Sequence, residues 1–441
     1  MKQKKRNNNL ILLGFATLLL FLIMPGQSQA QLSVVPDSHL YQARTNLPAQ
    51  KMDNTPGGLH LGSIKIHPRV DVNEAYESNL FLEESHQKSA WLTTISPGVS
   101  LLLPLRRHSL QLDYHAEIIE ASRFHKQFDT DNHFVNGILN LDFNRLNIQT
   151  GDNWESNSTA PVNEHDIRNE YHQNRAFCDI GYRLATRYTV HGFYRNTSRQ
   201  FDNTRSSSDP TADPEWDNYT ENDMGTSLYY RFLPKTSVLF EYGFTHHNQN
   251  DRGLLDTNRD YDAQRYWLGL MWEPTAKIKG TIKGGYYQQN FAAGSTSKDW
   301  GGFSFEGNLQ YAYTSRDSFT LTGFRYPIET SVNESHVPGY APGLYGTYSI
   351  TTGGTLTYNH RFTYKISGIA DVSYFHDDYT EKGSLGINRK DDRVYTGIGV
   401  LYQIRDWVGL KSGYRYEDCD SNSFNESYRN HIFSATLSLT F

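Results

Sequence analysis

The sequence predicts a closed antiparallel transmembrane β-barrel of about 18 strands, with short periplasmic turns and long extracellular loops. Three observations carry this. The stretch Phe433-Ser-Ala-Thr-Leu-Ser-Leu-Thr-Phe441 alternates strictly between apolar and small polar residues, as a strand with one greasy and one polar face does. The chain is hydrophilic, with a mean hydropathy of -0.65, yet it carries 30 Tyr, 23 Phe and 7 Trp. Rings at two lipid–water interfaces, with polar residues at every second strand position, reconcile those facts. From about Gly62 onward, alternating segments of roughly 10 to 15 residues recur, joined in turn by tight turns and longer polar loops.

At the amino-terminus, Lys2, Lys4, Lys5 and Arg6 precede an apolar run from Leu10 to Met24, broken by Pro25-Gly26 and followed by Ser28-Gln29-Ala30. This reads as a secretory signal peptide over 1–30, cleaved near Ala30. A membrane anchor would need a longer run, of about 20 residues. Residues 31–60 lack a period and read as a flexible periplasmic segment; 61–441 read as the barrel. A soluble sandwich would also alternate in its last strand, but the exported amino-terminus favours the barrel.

Tight turns are expected at Pro104–Arg107, Asn144-Arg145, Ala185-Thr186, Leu233–Lys235, Pro274-Thr275, Ser315–Asp317, Asn359–Arg361 and Arg405-Asp406. Long polar loops are expected over Asn157–Arg168, Thr197–Asn218, Asn248–Arg259 and Asp377–Asn388. The even strand count puts both ends of the barrel in the periplasm. Pro68 and Pro97 fall inside the first two strands and predict bulges there, since proline removes a ladder donor.

The two faces separate along each strand. Leu110, Leu112, Tyr114, Ala116 and Ile118 alternate with Gln111, Asp113, His115 and Glu117. Val238, Phe240, Tyr242 and Phe244 alternate with Leu239, Glu241 and Gly243. Charges and rings on opposite faces fit a lipid-facing exterior and a wet interior, and hydrocarbon requires the first strand to pair with the last. Cys178 then faces lipid in mid-strand and Cys419 lies near the outer end of another strand, so no disulfide is expected. The net charge of -6 and the lack of a basic block after the amino-terminus argue against a nucleic-acid partner.

The expected lumen path carries Arg69, Arg183, Arg187, Tyr229, Arg231, Glu241, Trp267, Lys279, Lys283, Tyr287, Lys365, Lys411 and Arg415. Cations, carboxylates and a few rings suit a sliding glycan; the competing reading is that the charges pair across neighbouring strands. No Gly-x-Ser-x-Gly or His-Glu-x-x-His motif appears, so no enzyme, cofactor or metal is expected. Asp256–Asp262 resembles the start of a calcium loop but has Tyr261 at the glycine place and Trp267 at the closing glutamate place, and reads as an acidic surface loop.

The first hairpin holds Gly58–Gly62, Ile66-His-Pro-Arg-Val70, Glu74-Ala-Tyr-Glu-Ser-Asn-Leu-Phe81 and Ile95-Ser-Pro-Gly-Val99. This text resembles the opening of the putative beta-barrel porin family of the second type. The carboxy-terminal strand is similar to the closing strand of outer-membrane barrels, which implies that Phe433, Leu437, Leu439 and Phe441 are read by the barrel-assembly machinery. The resemblance implies an outer-membrane barrel among lipid and lipopolysaccharide, exporting an exopolysaccharide or capsule polymer with periplasmic export proteins as partners. The alternative expectation is a diffusion porin for small solutes or oligosaccharides. Under the export reading the long outer loops, Thr197–Asn218 among them, are expected to gate the path.

Overall fold

The computed structural model describes residues 58–159, 169–202, 218–250, 258–295, 297–329, 348–382, 388–423 and 426–441. The expected signal peptide and residues 31–57 lie outside them. The strands are β1 (Leu59–Leu61), β2 (Ile64–Glu77), β3 (Ala90–Leu105), β4 (His108–Ala121), β5 (Thr130–Phe143), β6 (Leu146–Thr159), β7 (Asn169–Arg183), β8 (Tyr188–Phe201), β9 (Tyr219–Leu233) and β10 (Thr236–Gln249). They continue as β11 (Tyr261–Trp272), β12 (Ile278–Phe291), β13 (Trp300–Ala312), β14 (Asp317–Glu329), β15 (Tyr348–Arg361), β16 (Ile366–Lys382), β17 (Asn388–Arg405), β18 (Val408–Ser421) and β19 (Tyr428–Thr440). One helical turn, α1 (His125–Phe128), lies between β4 and β5.

From β2 onward each strand pairs antiparallel with the next, and β19 returns to β2 from Arg69↔Thr440 to Glu77↔Ile432. The eighteen strands β2–β19 thus form a closed barrel, and β1 folds back on the foot of β2. The expected fold is the observed one. Closure leaves no sheet edge along the seam, as a hydrocarbon surrounding demands.

Seven of the eight expected turns join strands at one end of the barrel, and the eighth connection lies at the same end but a few residues later in the chain. Arg106 and Asn144 adopt left-handed backbone, with φ of 59° and 65°, in two-residue hairpins. Three turns use one device. The Thr275, Thr314 and Thr363 hydroxyls each accept the N–H groups two and three residues on, at 3.0 to 3.2 Å. The third of these moves the expected turn at Asn359–Arg361 to residues 362–365, because β15 runs on through Arg361.

Two expectations are corrected. Pro68 and Pro97 shift no register: β2–β3 pairing is unbroken, with Pro68 opposite Val99 and Pro97 opposite Val70, although the β3–β4 ladder lapses at Ser96 and Pro97 before resuming in the same register. Register shifts fall instead at Thr236/Ser237, between Asp378 and Lys382, and between Gln403 and Arg405. The loops are also shorter than expected. β8 reaches Phe201, and β16 and β17 consume most of Asp377–Asn388. Asp377, read as a loop residue, points inward, where Arg393 Nε lies 2.6 Å away and the Thr351 hydroxyl donates at 2.6 Å. Polar residues there line a lumen rather than end a strand. The remainder of the expected gating loop, residues 203–217, lies outside the described residues, as do 160–168 and 251–257.

The outward face is apolar, as with Leu268 (64% exposed), Ile282, Phe303 and Ile398. Trp272, Trp407, Phe362 and Tyr364 mark its turn end. Tyr114, Tyr194, Tyr266, Tyr374 and Tyr414 mark its loop end, their hydroxyls meeting His133, Asn222, Gln264, Asp392 and His431 at 2.5 to 3.1 Å. Such rings settle where hydrocarbon gives way to polar headgroups.

The first-hairpin motif has a structural task. Fully buried Asn79 donates from its amide to Glu83 O (2.7 Å) and Arg429 O (2.9 Å), and its backbone N–H donates to Asn430 Oδ1 (3.0 Å). Phe81 packs edge-on against Phe128 of α1, 5.1 Å between centroids. The motif thereby pins the β2–β3 loop to β19. At the other end of the seam the Phe441 N–H donates to Pro68 O (2.9 Å), and its ring stacks on Trp407 at 5.8 Å. If Phe441 also serves assembly, Phe441→Ala lowers the heat-modifiable, folded fraction in the outer membrane while refolding into detergent persists. An unchanged membrane fraction overturns the assembly role.

Candidate functional site

Strand alternation turns every second residue into the lumen, and register decides which of these meet. On β7–β13 they form one chain of alternating charge. Asp179 (β7) lies 3.2 Å from Arg195 (β8), which lies 3.7 Å from Asp223 (β9). Arg265 (β11) reaches Asp223 at 2.7 Å and Glu241 (β10) at 3.6 Å. Lys283 (β12) bridges Glu241 at 3.1 Å and Glu306 (β13) at 2.7 Å. Gly243 sits directly opposite Arg265, and a Cβ there would collide with the guanidinium. Its absence lets Arg265 lie across β10 to reach β9. Thr245 and Ser227 hydroxyls donate to Asp223 (3.0 Å) and Glu241 (3.2 Å), satisfying further carboxylate lone pairs.

Trp267 is wholly buried on the inner face; its Nε1–H donates to Ser304 Oγ at 2.7 Å, and Lys283 Nζ sits 5.2 Å from its ring. A second group lines the loop end of β15–β18. Arg389, Arg393 and Arg415 each pair a carboxylate (Asp391, Asp377, Glu417) and each lies over a ring (Tyr379, Phe375, Tyr395) at 4.9 to 5.4 Å. A third lies toward the turn end of β2–β4, where Arg69 donates twice to Asp113, at 3.0 and 3.1 Å, and once to Ser100 at 3.2 Å.

The expected path residues therefore divide. Glu241, Trp267, Lys283, Tyr287 and Arg415 are buried lumen groups, and Arg69 belongs to the third group. Tyr229 is half-buried and tilts against His191 at 5.0 Å. Lys411 is inward on β18, opposite Thr436. Arg183, Arg231 and Lys279 are exposed at the turn end of their strands; the Arg231 guanidinium donates to Thr186 O. Arg187 and Lys365 are corrected: both lie in turns, and Lys365 Nζ donates to Ile404 O at 3.3 Å. Each sits one residue before its strand begins, Arg187 ahead of β8 and Lys365 ahead of β16, so extending the strand pattern carried them into the wall.

Sequence reasoning missed Arg265, Asp223, Arg389, Asp391 and Arg393. Arg265 stood two residues before Trp267 on the same face, a signal that would have found it. The others lie just past the expected loops Thr197–Asn218 and Asp377–Asn388, on strand starts whose inward face the sequence reading did not follow. Cys178 and Cys419 are both free thiols, one half-buried and one buried. Among the described residues no group of three or more His, Cys, Asp or Glu is placed to hold a metal. Of the calcium-like segment, Tyr261 and Asp262 open β11, and Asp262 lies 2.7 Å from His246.

An eighteen-stranded closed barrel with a lipid-compatible exterior and a charged interior is a transmembrane β-barrel of the outer-membrane type. The family described as "Putative beta-barrel porin 2" matches residues 54–441, and the chain belongs to it: it is an outer-membrane β-barrel porin. Among solved structures it is similar to OpdK of Pseudomonas aeruginosa, solved with vanillate, at 10% identity and a TM-score of 0.46, covering 85% of this chain and 99% of that one. It is also similar to OccAB3 of Acinetobacter baumannii (10%, TM-score 0.46, 86% and 100%) and OccAB4 of the same organism (12%, TM-score 0.46, 85% and 98%). A search of curated proteins finds no match.

Proposed function

We propose that the barrel is a diffusion channel for small polar solutes, and that polymer export, the reading favoured from the sequence, gives way to it. The observation that carries this is the charge chain from Asp179 to Glu306. Most of its members are nearly buried, with Arg265 only 1% exposed. A wide hydrated conduit leaves wall charges in contact with water; here they are packed on one another, so this wall narrows the path. Interlocked ions of both signs reward a small solute that exchanges hydrogen bonds with them, and leave little room for a polymer. Membership of a porin family supports the same reading. The proposed surroundings are outer-membrane lipid and lipopolysaccharide on the outward face, with the assembly machinery acting on β19.

Planar-bilayer conductance together with gene deletion tests this. The expected result is a discrete, small single-channel conductance and undiminished polymer secretion in the deletion strain. Loss of secreted polymer with synthesis intact inside the cell overturns the reading in favour of export.

A further inference from the structure

The charge on the inner wall changes character along the barrel axis. In the middle and toward the loop end, the inward cations meet carboxylates, as Arg195, Arg265, Lys283 and Arg393 do. At the periplasmic turn end they do not. Arg183 (β7), Arg231 (β9), Lys279 (β12) and Arg361 (β15) are exposed and stand on four separate strands. Strand alternation turns all four inward: Arg183 shares a face with Asp179, Arg231 with Asp223, Lys279 with Lys283 and Arg361 with Thr351. Among the described residues none of the four forms an ion pair. The turns add to them, since seven of the eight hold an Arg or Lys and Arg405 ends β17 at the eighth. Few carboxylates share this end. Asp317 is taken by the His360 ring at 2.6 Å and the Tyr358 hydroxyl at 2.7 Å, and Asp142 accepts the Asn144 N–H at 3.1 Å. Glu273, Asp406 and the terminal carboxylate of Phe441 complete the set, and cations outnumber it.

The cations at this rim are held without being neutralised. Arg231 donates to Thr186 O, Arg361 to Ser315 O at 2.7 Å, Lys277 to Tyr313 O at 3.1 Å and Lys365 to Ile404 O at 3.3 Å. Each bond crosses to the neighbouring strand or turn, so the side chain is fixed along the rim. A carbonyl accepts the hydrogen bond but leaves the positive charge in place. Like charges gathered at a mouth with low-dielectric walls focus the potential and raise the local concentration of counter-ions. The paired charges farther up the wall cancel at a distance and exert no such pull.

We propose that the periplasmic mouth is an anion-collecting vestibule, and that the solutes this channel passes are small organic anions. The inference rests on the diffusion reading and names its solute class. A negatively charged solute is drawn to this mouth and exchanges hydrogen bonds with the paired groups along the wall, whereas a cation of the same size is repelled there. The inward aim of the four strand cations points to a solute rather than to lipid headgroups, which meet the other face of the wall.

The test is the reversal potential of the full barrel in planar bilayers across a KCl gradient, repeated with potassium gluconate. The expected result is an anion-over-cation permeability ratio of about three or more in dilute salt with either anion. It should shrink at about 1 M salt, where the screening length is about 3 Å. The combined variant Arg183→Gln, Arg231→Gln, Lys279→Gln and Arg361→Gln is expected to lower the ratio about twofold or more. Its charge-keeping counterpart, Arg183→Lys, Arg231→Lys and Arg361→Lys, keeps the wild-type ratio, which separates charge from packing. Removing exposed cations at the loop end, with Arg123→Gln, Lys126→Gln and Lys298→Gln, leaves it unchanged. Heat-modifiable gel mobility reports that each variant is folded. A ratio at or below one, exclusion of gluconate while chloride passes, indifference to the four Gln substitutions, or an equal fall in the loop-end variant overturns the vestibule. A barrel that conducts no ion fails the diffusion reading itself; one that conducts without preferring anions fails this inference alone.

Discussion

Arg265→Leu is expected to cost the folded barrel about 3–5 kcal/mol, because it strips a buried cation from two carboxylates that stay buried. Asp223 would keep Arg195, at 3.7 Å, with the Thr245 hydroxyl, and Glu241 would keep Lys283, at 3.1 Å, with the Ser227 hydroxyl. The variant would also loosen the packed wall, so single-channel conductance should rise. Urea titration of refolded barrel, read by heat-modifiable gel mobility, gives the first number; planar bilayers give the second. Adding Asp223→Leu should recover about 0.5–3 kcal/mol, since the pair acts as a unit. A loss below about 1 kcal/mol would mean that water screens this pair as it screens surface pairs, and the narrow-lumen argument would fall with it.

Leu268→Arg should destabilise the barrel by about 2–4 kcal/mol, whereas Gln264→Arg, on the same face of the same strand, should cost about 0–1 kcal/mol. Leu268 lies between Tyr266 and Trp272, which mark the two interfaces on β11, and it is among the most exposed apolar residues described. Gln264 lies beyond the girdle, where it accepts the Tyr266 hydroxyl at 2.7 Å. A guanidinium at Leu268 must sit in hydrocarbon or pull water in, while one at Gln264 already meets headgroups. Equal small costs at both positions would show that the outward face does not contact acyl chains. The comparison holds strand and face constant and varies depth alone.

The barrel class, the strand number, seven of the eight turns and the facing of most residues were legible because each rests on local pattern. Period-two alternation assigns a face from a handful of neighbours, and turn residues reveal themselves over two to four positions. Errors came where local polarity has two causes. Asp377 looks like a loop residue, and Arg389, Asp391 and Arg393 follow directly on its loop, yet all four face a lumen that tolerates charge. Lys365 and Arg187 look like strand residues, yet threonine-capped or two-strand turns hold them at the rim. Pro68 and Pro97 were read as bulges, but their strands keep register through both.

Sequence by itself determined that the chain closes a membrane barrel with greasy outer and charged inner faces, because alternation is written in adjacent residues and hydrocarbon permits no other use of it. Tertiary structure alone decided which inward charges meet, since Arg265 finds Asp223 on a strand 42 residues earlier only through the register of β9, β10 and β11. It alone decided too which inward cations find a carboxylate and which stand unpaired at the turn end, for an ion pair belongs to two strands at once.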